Sequence, residues 1–169
     1  LLRDLGRGTS CKRTKNAKAD KAALRNIATD LRSQLKDVYR RTFDSSNPDV
    51  IPRLRRYRDA DYLFAVNDAR DYGDYVGHHG LVMEKGLPAE TILSIRKENA
   101  AVYDLLTSRK VETTQDDGWT KWNVELGPGD GGVWLILDEP LADIEVDAPD
   151  AVALGGSVDV EIKALDASG

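Results

Sequence analysis

At 169 residues, 41% hydrophobic and 31% charged, the chain has the bulk of one ordinary globular domain and something extra. No apolar run approaches the roughly 18 residues of a membrane span; the longest, VWLIL at 133–137, is strand-sized. The net charge of −5 conceals a division, since residues 1–58 carry 16 Lys/Arg against 6 Asp/Glu and residues 59–169 carry 8 against 23, which points to two bodies with different surroundings.

Residues 1–15 show no periodicity and read as loop. The single cysteine, Cys11, lies among Lys and Arg; one cysteine makes no internal disulfide, and no CxxC metal pattern accompanies it. From residue 17 to 43 the spacing predicts one helix, with Leu24, Ile27, Ala28, Leu31, Leu35, Val38 and Tyr39 on one stripe and Lys21, Arg25, Arg32, Lys36 and Arg40 opposite. Asn16 is the expected N-cap, and DSSNPD at 44–49 the stop. A basic amphipathic helix raises membrane-surface and nucleic-acid readings. Alanines replace the large anchors that insertion needs, and the acidic remainder of the chain repels phosphate. The expected role is packing of the Leu/Ile stripe on a neighbour, with no nucleic-acid partner.

From residue 54 the period changes from 3.6 to 2. Expected strands are DYLFAV (61–66), buried on both faces, ETILSIRK (90–97), AVYDLL (101–106), KVETT (110–114), WTKWNVEL (119–126) and VWLILDE (133–139), with turns at DDG and at GPGDGG (127–132). Short strands at even spacing with glycine-rich punctuation predict an antiparallel β-sandwich. Trp122 shares a face with Val124 and Leu126, and Trp134 lies inside VWLIL, so both are expected in the core. Trp119, at a turn edge, is the aromatic expected at the surface. Beyond residue 141, Ile144 and Val146, then Val158, Val160, Ile162 and Ala164, alternate with acids and Lys163. They read as half-buried strands whose partners lie beyond Gly169.

The densest chemistry is NDARDYGDYVGHHG at 67–80. His78 and His79 are adjacent, and neighbours on a strand point to opposite faces, so they do not suit one metal. Asn67, Asp68, Asp71 and Asp74 offer the hard oxygens calcium prefers, but without the EF-hand spacing. The segment is expected to be a long ordered loop, with Asn67, Asp68, His78 and His79 contacting a neighbouring domain and Tyr72 and Tyr75 packing their rings. No G-x-S-x-G elbow is present, and GPGDGG lacks the lysine and following helix of a phosphate loop. No catalytic residue, metal or cofactor is assigned. Trp119, Tyr72 and Tyr75 are the candidate sugar-stacking residues.

YLFAVND, then AVYDLLTSRKV, then WNVELGPGDGGVWLIL resembles the C-terminal accessory β-domains of bacterial glycoside hydrolases, over residues 58–140. The tail, IEVDAPDAVALGGSVDVEIKALDASG, resembles the opening strands of bacterial Ig-like repeats. The resemblance implies a helical remnant of a preceding domain at 1–53, a β-sandwich accessory domain at 54–140 and a truncated Ig-like unit at 141–169. It further implies a non-catalytic module of a large, exported carbohydrate-active protein, with neighbouring domains of the same polypeptide and polysaccharide as partners. The alternatives are an Ig-like spacer or adhesion module without sugar binding and, more weakly, nucleic-acid binding through the basic helix. Both ends of the chain read as cut from something longer.

Overall fold

The computed structural model describes residues 17–76 and 81–166, side chains 17–21 and 72–84 excepted. Its elements are α1 (Ala17–Gln34), β1 (Phe43–Ser45), β2 (Val50–Tyr57), β3 (Ala60–Asn67), β4 (Arg70–Val76), β5 (Leu81–Gly86), β6 (Ala89–Ile95), β7 (Ala101–Asp104), β8 (Arg109–Lys110), β9 (Thr114–Asp116), β10 (Trp119–Leu126), β11 (Gly131–Leu137), β12 (Asp143–Asp147) and β13 (Glu161–Leu165). The chain divides into two units. One holds α1 and most of the β4–β5 hairpin; the other comprises Arg41–Arg70 and Gly86–Gly169.

In the larger unit two antiparallel sheets form the expected β-sandwich. A four-stranded sheet runs β1-β6-β10-β9 and a five-stranded sheet β2-β3-β11-β7-β8. The central strands β3, β10 and β11 bury every second residue. On β10 these are Thr120, Trp122, Val124 and Leu126; on β3 they are Asp61, Leu63, Ala65 and Asn67. Between the sheets Leu93, Ile95 and Trp122 meet Leu63, Val102, Trp134 and Ile136 in one apolar cluster. The indoles of Trp122 and Trp134 lie 6.2 Å apart at 54°, a tilted arrangement that aromatic quadrupoles favour. Both tryptophans are core, as their spacing predicted. The Trp134 ring covers Gly132: a Cβ there would sit 2.3 Å from the indole.

Several boundaries differ from expectation. The helix stops at Gln34 rather than 43. Leu35, Val38 and Tyr39 continue the stripe in sequence but are exposed, and Phe43 already belongs to a strand. The sandwich therefore begins at Phe43, and β2 supplies an edge strand that runs across residue 54. β3 is buried on one face only, because Phe64 and Val66 point outwards at 40% and 52% exposure. KVETT is not one strand. Lys110 ends β8 in the five-stranded sheet, the half-buried Val111 crosses over, and Thr114 opens β9 in the four-stranded one. Asp117 and Gly118, both at positive φ, then make the two-residue hairpin turn that Asp-Gly favours. The segment at 67–80 is not a loop throughout, since residues 70–76 form β4, paired with β5.

The tail folds as a two-stranded ribbon, Asp143–Asp147 on Glu161–Leu165. Val158 and Val160 precede the second strand rather than joining it. Ile144, Val146 and Ile162 are exposed, not half-buried.

Candidate functional site

The polar side chains buried in the sandwich lie near the ends of its strands. Asn67 closes β3 at 3% exposure. Its Nδ2 donates to the carbonyls of Leu87 (2.8 Å) and Gly127 (2.7 Å), and its Oδ1 accepts from the Ala69 amide at 2.8 Å. The Leu87 amide in turn donates to the Ala69 carbonyl at 2.8 Å, and the Asn67 amide to the Asp130 carbonyl at 2.8 Å. One side chain thus ties three connections together at one end of the sandwich. Both of its amide hydrogens are committed there, so it has little left to present to a neighbouring domain.

On β3 the inward alternation also places Asp61 inside. Its carboxylate takes a two-pronged contact from Arg56, Nε to Oδ1 at 2.8 Å and Nη2 to Oδ2 at 3.0 Å. Lys97 Nζ approaches Oδ2 at 3.2 Å and Asp138 at 2.8 Å. Lys97 follows β6 and Asp61 belongs to β3, so this ion pair joins the two sheets. The Arg56 hydrogen bond, with help from Lys97 and against the cost of burial, holds the Asp61 carboxyl below the usual carboxylate range. The same bond raises the Arg56 guanidinium. Thr120, fully buried, holds the backbone that carries Lys97: its Oγ1 donates to the Lys97 carbonyl at 2.6 Å and accepts from the Ala100 amide at 3.2 Å. Sequence reasoning missed Asp61, Lys97 and Thr120. The available signal was a charged residue in phase with Leu63 and Ala65, an inward position that acids occupy only when paired.

Of the candidate sugar-stacking residues, Trp119 opens β10 half-buried, paired in register with Asp116. The Arg96 guanidinium lies 5.1 Å from its ring centroid, a cation–π contact that covers one ring face. Tyr72 and Tyr75 lie on β4, with side chains outside the description. Asp68 is exposed and pairs with Arg70 at 3.2 Å. His78, His79, Cys11 and Asn16 lie outside the described residues.

A shallow cleft of about 300 Å³ opens beside Asn123, Glu125, Asp130, Gly132 and Asp104. Two of its acids cap turns: Asp104 Oδ1 accepts from the Leu106 and Thr107 amides, and Asp130 Oδ2 from the Gly127 amide. Such carboxylates position backbone. Among the described residues no group of three or more His, Cys, Asp or Glu side chains is placed to hold a metal ion, and no helix is long and apolar enough to cross a membrane. Comparison with protein-family models and with curated proteins returns no match.

Proposed function

We propose that the sandwich is a non-catalytic accessory module of a larger, exported carbohydrate-active protein, acting by packing on a neighbouring domain and adding weak sugar contacts through Trp119. The observation that carries the packing role is the exposure of Ile51, Phe64 and Val66 side by side on β2 and β3. Large apolar side chains grouped on one surface mark an interaction site more often than chance exposure does. The polar groups inside support the same reading, since Asn67, Asp61 and Thr120 are engaged in holding strands and turns.

Sugar contact rests on the resemblance together with the surface position of Trp119. Trp122 and Trp134 are 2% and 4% exposed, so a glycan-induced change in tryptophan fluorescence reports chiefly on Trp119. Titration with neutral and acidic polysaccharides is expected to quench or shift that emission, and Trp119→Ala to abolish the response. Arg96→Ala uncovers a ring face and is expected to strengthen it. A flat titration across all glycans refutes the sugar contact and favours the second reading, an Ig-like spacer. The exposed apolar residues of the β12–β13 ribbon favour that alternative, because further strands would cover them in a chain of repeats.

A further inference from the structure

The two sheets of the sandwich turn different surfaces outwards. On the four-stranded sheet the outward positions include Lys121, Asn123, Glu125 and Glu90, with a single exposed large aliphatic, Ile92, beside Asn123, a mixed and mostly polar surface that carries acids. On the five-stranded sheet, residues directly opposite one another share a face; beyond the pairs Tyr57–Ala60 and Leu137–Ala101 the outward residues form three further rows. Ile51 lies beside Val66; Arg53 beside Phe64 and Val133; Arg55 beside Tyr62, Leu135, Tyr103 and Lys110. No Asp or Glu occupies these rows, although acids outnumber bases 23 to 8 from residue 59 onwards. Cations stand at both ends: Arg53 and Arg55 on the edge strand β2, Lys110 on the opposite edge strand β8.

Resting on the reading that the sandwich packs on a neighbouring domain, we propose that it docks through this face, onto a protein surface with an apolar centre flanked by carboxylates. Ile51, Phe64 and Val66 supply the apolar contact, and the edge cations select the partner by charge. A second copy of this chain does not fit face to face. With cations at both edges, aligned stacking of two such sheets sets cation over cation in either direction.

The test places photoreactive p-benzoylphenylalanine at Phe64 and, in a separate variant, at Val66, in the natural polypeptide within the cells that make it. Asn123, on the outer face of the opposite sheet, is the control position. Adducts from 64 and 66 should exceed those from 123 about tenfold and map by mass spectrometry to peptides rich in Asp or Glu. Joint Arg53→Glu and Arg55→Glu substitution should reduce them about tenfold. Adducts at 123 with none at 64 or 66 overturn the docking face while leaving the packing role intact. Silence at all three positions overturns both. Adducts on a second copy, or adducts indifferent to charge reversal, overturn the carboxylate-flanked partner. So does co-sedimentation of the protein with vesicles of anionic phospholipid that Arg53→Glu and Arg55→Glu abolish.

Discussion

β10 and β12 are written in the same pattern and meet opposite fates. Trp122, Val124 and Leu126 alternate with polar residues and are buried. Ile144 and Val146 alternate just as cleanly and stand 60% and 62% exposed. Period-2 patterning selects which face of a strand is apolar; it does not supply the layer that covers it. β10 has the five-stranded sheet opposite. Among the described residues β12 pairs with β13 alone, and a lone two-stranded ribbon cannot bury its own face.

The sharpest way to break this comparison uses one residue type in both places. Ile136→Ala empties a fully buried site between the sheets and should destabilise the sandwich by about 3–5 kcal/mol, read as a shift in the denaturant midpoint at constant slope. An Ile136→Ala variant indistinguishable from the parent would mean that the sheets are not packed as described.

Asp61→Asn probes the ionic join between the sheets and should cost about 2 kcal/mol at neutral pH, discounted for the exposure of Arg56. Because the folded carboxyl titrates below its ordinary value of 3.8, its contribution is full above that value and declines as pH falls through the folded pKa. The gap between parent and Asp61→Asn should therefore narrow from about pH 4 downwards. A pH-independent gap would assign the loss to packing instead of charge.

Ile144→Ala carries the smallest expected effect. With 60% of the residue already in solvent, it should change stability by less than about 0.5 kcal/mol. A loss approaching that of Ile136→Ala would show a covering layer on the ribbon.

The sandwich and its core tryptophans were legible in the sequence because their strands alternate strongly and end at Gly or Asp-Gly turns. β10 follows the expected 119–126 to the residue. β2 escaped because VIPRLRRY mixes a proline with arginines. Yet proline is tolerated on edge strands, and Val50, Pro52 and Leu54 do keep to one side of Ile51, Arg53 and Arg55. β1, three residues long, has too few positions to show a period. The helix was overextended because Leu35, Val38 and Tyr39 keep helical spacing, which records compatibility with a stripe and not whether backbone bonds continue. Asn67 stood out in the sequence, but its internal role in tying loops together did not. Its bonds reach residues 20 and 60 positions away, and such partners leave no trace in local pattern.

The pinch between Ala69 and Leu87 has a consequence for how this protein can vary. The Asn67 amide and the Ala69–Leu87 hydrogen bond close the gap between β3 and β6 at the sandwich itself, before the chain departs into β4 and β5. Closure entropy depends only weakly on the length of what is looped out. The stretch between those two residues is thus a natural port, where a lineage or an engineer can lengthen, shorten or exchange the hairpin while the sandwich keeps its own stitching.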